Sequence, residues 1–301
     1  MMKQRSIIAD ILLLCVSFIW GTTFVLVQNA VDTFPPFSFL TIRFLIASIL
    51  LYFVIQLLPT KKLYLTKSLL LHGCIIGTAI FIGFSFQTFG LLYTSSSKAG
   101  FITGLNVIIV PFLAFFLSKK GVSLKTCIGA ILSLMGLFFL SGLTEASVNL
   151  GDILVLICAF GFAFQIFYTD KFASMHDVLN LTLIQLFTVL VLSFLGVLFF
   201  ESPSLLVEWK VYQQPSVILA LIITGILATA VAFFVQTWAQ TFTTPTRVAI
   251  IFAMEPVFAA FTGILFAGEV LTWSQLIGCL FILFGMLVVE LKLNMISINT
   301  S

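Results

Sequence analysis

Long apolar blocks follow one another along this chain, parted by short polar or Pro/Gly clusters. Cutting at those clusters leaves ten blocks, at roughly 7–27, 37–58, 68–92, 100–118, 125–142, 151–169, 179–200, 216–238, 247–267 and 272–290. A helix needs about 20 apolar residues to cross a bilayer, so each block predicts one membrane span. The connections are too short for a soluble domain; the longest, around 201–215, reads ESPSLLVEWKVYQQP. The first block follows Lys3 and Arg5, as a secretory leader would. It continues to about Val27 without a small-residue cleavage site, so it predicts a retained span. Leu14 before Cys15 argues against lipoprotein processing.

Charge placement predicts the orientation. With the N-terminus inside, the cytoplasmic segments hold Lys3, Arg5, Lys61, Lys62, Lys67, Lys119, Lys120, Lys125, Lys171, Arg247 and Lys292. The outer segments hold Lys98 and Lys210, and Arg43 lies within the second block. This bias predicts cytoplasmic N- and C-termini in an inner (cell) membrane protein. Composition agrees with lipid as the solvent. Only 8% of the residues are charged and 61% are hydrophobic, against about 25% charged in soluble domains. A net charge of +3 is too small for a nucleic-acid surface. No zinc pattern, phosphate loop or nucleophile motif appears. Cys15, Cys74, Cys127, Cys158 and Cys279 sit singly in apolar runs and predict no disulfide framework. His72 and His176 lie at block edges, where solvation is expected rather than metal binding. The expectation is therefore no enzyme, no cofactor and no metal.

A repeat underlies the pattern. Residues 84–140 lie over 233–289 at a constant shift of 149. Gln87-Thr88 falls on Gln236-Thr237, Thr94 on Thr243, Lys98 on Arg247, Asn106 on Glu255, Gly129 on Gly278 and Gly136 on Gly285. The first two blocks of each half align at a shift of 142, with Trp20 on Phe162, Gly21 on Ala163 and Arg43 on Gln185. Five spans is an odd number, so the second half must enter the membrane upside down. This is an arrangement of secondary transporters with a site near the midplane. The expected fold class is an all-α integral membrane protein of ten transmembrane helices, built as two inverted five-helix repeats at 7–142 and 151–290. Lys98 and Arg247 would then anchor equivalent span starts on opposite faces.

Two charges lie clearly inside blocks, Arg43 and Glu255. Each costs at least about 2.5–3.5 kcal/mol at the bilayer centre, so such groups usually face a bundle interior or a cavity. Glu255 lies eight residues past Arg247, about 12 Å along a helix and near the midplane. It reads as a structural acceptor or ion-pair partner, as a solute contact, or as the carrier of a coupling proton, since burial favours an uncharged carboxyl. Asp10, Asp152, Asp170 and Glu290 fall at block ends, where solvation suffices, and Glu269 reads as a solvated loop residue. Thr22, Thr23, Gln87, Asn106, Gln165, Gln185 and Gln236 add polar groups at interior depth; each amide is either helix–helix glue or part of a polar pocket. Trp20 is too deep for an interfacial belt and reads as core packing or a cavity wall. The expected solute pathway consists of Trp20, Arg43, Gln87, Asn106, Gln236 and Glu255. Pro111 and Pro256 are expected helix kinks. Gly73/Gly77, Gly129/Gly136 and Gly278/Gly285 predict close helix packing, the last two pairs in seams or a homodimer contact. Thr272 with Gln275 predicts a capping box.

With FIWGTTF in the first block, Arg43 in LTIRFLIAS, MEPVFAAFTGILFAGEVLT through the ninth and GCLFILFGM in the tenth, the chain resembles the drug/metabolite transporter superfamily, specifically its EamA family. The resemblance covers nearly the whole chain as two repeats. It implies a ten-helix inner-membrane carrier with a central cavity. Such a carrier moves amino acids, metabolites or drugs, often by efflux, through alternating access and without ATP hydrolysis. Trp20, Arg43, Glu255 and Pro256 occupy family-type positions. Two departures make the halves unequal: Lys119-Lys120 stands where the second half has Gly268-Glu269, and Phe162-Ala163 replaces Trp20-Gly21. Alternative readings are a nucleotide-sugar-type exchanger, which would be expected to show basic cavity residues for phosphates, and a non-transporting sensor or assembly protein.

Overall fold

In lipid every backbone polar group must be satisfied within its own segment, which favours continuous helices. The computed structural model, which describes residues 2–59, 62–118, 123–140, 148–267 and 272–290, is all-helical, with no strand among the described residues. The first part runs α1 (Met2–Val31), α2 (Pro36–Leu57), α3 (Lys67–Gly90), α4 (Ser96–Gly104), α5 (Asn106–Ser118) and α6 (Leu124–Leu140). After it come α7 (Leu150–Ala173), α8 (Val178–Phe200), a 3-10 turn (Pro203–Val207), α9 (Trp209–Tyr212) and α10 (Pro215–Ile222). A π-helical segment (Ile223–Val231), α11 (Ala232–Ala239), α12 (Pro245–Phe252), α13 (Glu255–Ala267) and α14 (Trp273–Glu290) complete it. Lys61, Lys119, Lys120, Gly268, Glu269 and Lys292, used in the charge and repeat comparisons, lie outside the described residues.

Seven helical stretches among the described residues are long and apolar enough to cross a membrane. They are Gln4–Val31, Pro36–Leu57, Lys67–Gly90, Lys98–Leu117, Leu150–Ala173, Val178–Phe200 and Pro215–Ala239. The expected span 247–267 is divided between α12 and α13. The remaining two, α6 and α14, have 17 and 18 residues, at the short end of the spanning range of about 17–25. Large apolar side chains such as Phe116, Phe199 and Phe200 are exposed on the outside, an extent of apolar surface that needs an apolar solvent.

Polar residues punctuate the helices. Thr66, Ser95, Asp177 and Thr244 each cap the helix that follows with a side-chain oxygen. Asn149 and Asp152 form a reciprocal capping box on α7. The expected Thr272/Gln275 box is present: Gln275 Oε1 accepts from Thr272 N at 2.9 Å, and Thr272 Oγ1 accepts from Gln275 N at 3.3 Å. The start of α2, Pro35-Pro36, has no side-chain cap of its own. Glu201, just past α8, supplies it: its carboxylate accepts from Phe37 N and Ser38 N, both at 2.8 Å, and from Ser38 Oγ at 2.7 Å.

Glycine decides how closely the helices pack. A Cβ on Gly73 or Gly77 of α3 would lie within 2.6 Å of Ile184 or of Gln185 and Thr188 on α8. A Cβ on Gly136 would lie 2.6 Å from the Gly278 carbonyl, and one on Gly285 would lie 2.7 Å from the Gly129 carbonyl. The glycine faces of α6 and α14 thus close on each other within one chain. Similarly, a Cβ on Gly21 of α1 would collide with the Glu255 carbonyl of α13. That contact presses the start of α13 against the middle of α1.

Candidate functional site

Two helical stretches are broken at positions 149 residues apart in the sequence. The α4 helix closes with Leu105 N bonded to Ile102 O at 3.1 Å, and Asn106 opens α5. The α12 helix closes with Met254 N bonded to Ile251 O at 3.0 Å, and Glu255 opens α13. These tighter i−3 turns end each half-helix beside Asn106 and Glu255; in an apolar setting freed backbone is tolerated only beside protein or a cavity. Pro256 is the second residue of α13, near the helix start, where its missing N–H costs least. Pro111 lies inside α5, and the break in its span falls upstream at Leu105.

A third interruption is the π-helical segment Ile223–Val231 in the stretch spanning residues 215–239. Such wider turns cluster at functional sites. Here the segment supplies two acceptors. The Ala228 carbonyl takes the Trp20 indole N–H at 2.7 Å, and Thr229 Oγ1 takes Arg43 Nε at 2.7 Å. Gly225 lets α2 come close enough, since a Cβ there would sit 3.0 Å from Ile46.

Between these elements lies a small cavity of about 50 Å³. Trp20, Phe24, Phe84, Phe162 and Phe252 form its aromatic wall. Thr23, Arg43, Gln87, Thr103, Asn106, Gln165 and Glu255 form its polar wall. Arg43 is 3% exposed and lies with Cζ 4.3 Å from the Phe84 ring centroid, a cation–π geometry. Trp20 meets Phe252 edge-on at 4.9 Å, and Phe84 meets Phe162 edge-on at 5.0 Å. Gln87 Nε2 donates to Thr103 Oγ1 at 3.3 Å. Asn106 Oδ1 is buried with no hydrogen-bond partner among the described residues.

The cavity therefore gathers Trp20, Arg43, Gln87, Asn106 and Glu255 from the expected pathway, and Gln236 lies elsewhere. Fully buried, Gln236 donates from Nε2 to Gln165 Oε1 and to Gln240 Oε1, both at 3.1 Å. Gln240 continues the chain to the Ile166 carbonyl at 2.8 Å. Gln236 thus holds Gln165, which faces the cavity in its place. Asp10 and Asp152 also differ from expectation. Both are 7% exposed and ion-paired rather than solvated. Phe84, Phe252 and Thr103 were missed because Phe and Thr carry no signal in so apolar a chain. The 142 shift already sets Trp20 on Phe162, and Gln165 is among the expected interior polar groups; carrying the shift on from Thr23 to Phe24 would have added Ile166, and all three lie on the cavity wall.

A model of the EamA-like transporter family matches residues 7–142 and again 149–291. The chain belongs to that family. An "uncharacterized transporter" of Archaeoglobus fulgidus is 35% identical over 96% of this chain and 87% of its own length. The "uncharacterized transporter YcxC" of Bacillus subtilis is 26% identical over 95% of this chain and 93% of its own. A solved crystal structure overlays with a TM-score of 0.76 at 18% identity, covering 93% of this chain and 96% of that one. At that identity the likeness is one of fold. This EamA-like protein is thus a multi-pass membrane transporter, and the cavity is where its architecture concentrates polar chemistry.

Proposed function

We propose that this EamA-like transporter is a secondary carrier of small organic solutes, such as amino acids, metabolites or drugs. It works by alternating access of the central cavity, with export as the direction that the family resemblance implies. The observation that carries the reading is a buried guanidinium, Arg43, and a carboxylate, Glu255, on the wall of one aromatic-lined cavity. That pairing suits a solute with an anionic end at Arg43 and an ammonium or other donor end at Glu255 and the open Asn106 Oδ1.

The architecture proposed is ten spans in two inverted halves, residues 7–142 and 151–290, with both termini cytoplasmic. The cavity itself supports it. Trp20 and Phe162, Thr23 and Gln165, and Phe24 and Ile166 are wall pairs at the 142 shift, and Thr103 with Phe252 and Asn106 with Glu255 are pairs at 149. Both halves thus contribute matching positions to one site, as expected where inverted repeats meet. No chemistry on the solute is proposed.

Counterflow in proteoliposomes tests the carrier reading. A panel of zwitterionic, anionic and cationic solutes of amino-acid size should include members that accumulate against an unlabelled pool. If no panel member moves or binds, the reading is overturned. Reporter fusions at residues 62, 120 and 301 should all report cytoplasm, and an outside signal at any of them overturns the topology.

A further inference from the structure

Two ion pairs stand at opposite ends of this molecule. Arg247 Nη2 lies 2.6 Å from Asp10 Oδ2, joining α12 to α1. Lys98 Nζ lies 3.1 Å from Asp152 Oδ2, joining α4 to α7. Their separation follows from α1. Near its far end, Gln28 Nε2 donates to the Leu91 carbonyl at 3.4 Å, just before α4. Asp10 is eighteen residues earlier in that helix, or about 27 Å away.

The two pairs are copies of each other. Asp10 falls on Asp152 at the 142 shift and Lys98 on Arg247 at 149. The local setting repeats as well. Ser95 Oγ accepts from Lys98 N at 3.3 Å, and Thr244 Oγ1 accepts from Arg247 N at 3.4 Å, so each cation sits in the first turn of a capped half-helix. Exposure matches too, with cation side chains at 21% and 25% and carboxylate side chains at 8% and 10%. In both cases the half-helix ends at the cavity. Eight residues separate Lys98 from Asn106 and Arg247 from Glu255, about 12 Å of rise. Thr103 near the end of α4 and Phe252 at the end of α12 line the cavity, so a solute engaging either acts on one end of a short rod whose other end carries a latch cation.

We propose that Asp10–Arg247 and Lys98–Asp152 are the two alternating latches of the transport cycle. Each end of the cavity opens only when its own pair parts, and the two do not part together. Both pairs are formed here. The inference rests on the carrier reading above, and it assigns positioning roles to four residues that do not line the cavity.

The experiment places a cysteine at Thr23 on the cavity wall and labels it with a membrane-impermeant maleimide, from either side of the membrane and without solute. Labelling of the parent chain's own cysteines is subtracted. Asp10→Asn should raise labelling from the Asp10 side by about fivefold and lower it from the other; Asp152→Asn should do the reverse. The swap Asp10→Arg with Arg247→Asp should return labelling towards the parent. The latches are overturned if both variants raise labelling from the same side. They are also overturned if neither changes labelling while both lower the melting temperature, which would mark the pairs as structural only. Because labelling needs no solute, a parent chain that moves nothing yet shows opposed labelling shifts overturns the carrier reading and keeps the latches.

Discussion

Arg43 offers the sharpest separation of stability from function. Replacing it with Met removes the 2.7 Å bond to Thr229 and the 4.3 Å approach to Phe84. A hydrogen bond to a charged group is worth about 1.5–3 kcal/mol, and a desolvated cation–π contact about 2 kcal/mol. Against these losses stands the cost of keeping a guanidinium out of water, several kcal/mol per ion. No carboxylate lies within ion-pair distance of Arg43 among the described residues, so that cost is not offset by a partner. Thr229 can turn its hydroxyl back to a carbonyl of its own helix. The terms cancel to within about 2 kcal/mol, a shift of only a few degrees in Tm. Transport should behave otherwise. Losing the charge that faces a solute anion costs about 2–5 kcal/mol, a roughly 30- to several-thousand-fold rise in the half-saturation concentration. Thermal unfolding in detergent gives the first quantity and counterflow the second. A variant that unfolds far below the parent, or one that transports with unchanged half-saturation, refutes the reasoning.

Three other substitutions test the remaining parts. Glu255→Gln keeps the shape of the carboxylate and removes its charge; it should weaken zwitterionic and cationic solutes by roughly 10- to 100-fold and leave anionic ones nearly unchanged, as read by competition in binding assays. Gly21→Ala places a Cβ against the Glu255 carbonyl and 3.0 Å from Ala259 N; overpacking of this kind costs about 1–3 kcal/mol, so Tm should fall and the transport rate with it. The third test concerns pH. His72 Nδ1 and His176 Nε2 lie 2.8 Å apart, with His72 stacked on Phe172 at 3.8 Å. Burial, and then the charge of His72, hold the His176 pKa below its ordinary value. The unfolded chain therefore binds the proton more readily, and the contribution of this pair is complete above the ordinary histidine value of about 6.5 and is lost as the pH falls from there to the lower value of the folded state. Lys171 Nζ lies 5.5 Å from the centroid of the Phe172 ring on which His72 stacks, and Asp177, next to His176 in the chain, caps α8. Acidifying from about pH 7.5 to 5.5 should lower the Tm of the parent more than that of His176→Gln; equal slopes refute this assignment.

How much of this was legible varies residue by residue. The helices were legible because lipid leaves the backbone little choice and the block lengths match a bilayer. The breaks at Leu105 and Ala253-Met254 were half legible. Asn106 and Glu255 marked both spans as unusual, but the prolines drew the expected bend to themselves, and in α5 the break lies upstream of Pro111. The π-helical segment was not legible at all. ITGILATAV is as apolar as its neighbours, and hydropathy does not report a change of hydrogen-bond register. Gln236 shows the limit of the repeat. It occupies the position of Gln87, yet in the second half an amide chain through Gln240 turns it away from the cavity and brings Gln165 forward. Asp10 and Asp152 show the opposite case, in which a block-end carboxylate looked solvated and its cation was too distant in the chain for proximity to suggest a pair.

The seam between α6 and α14 has a consequence for how the molecule is made. Gly136 and Gly278, which meets it across the seam, are 142 residues apart. At about 5–20 residues per second, a ribosome needs roughly 7–30 s to travel between them. For that interval the glycine face of α6 waits in the membrane with its partner not yet synthesised, open to any other small-residue helix nearby. A chain cut short before Trp273 would keep that face open permanently. Quality control that recognises an unfilled glycine groove could therefore monitor completion of the whole transporter at a single place.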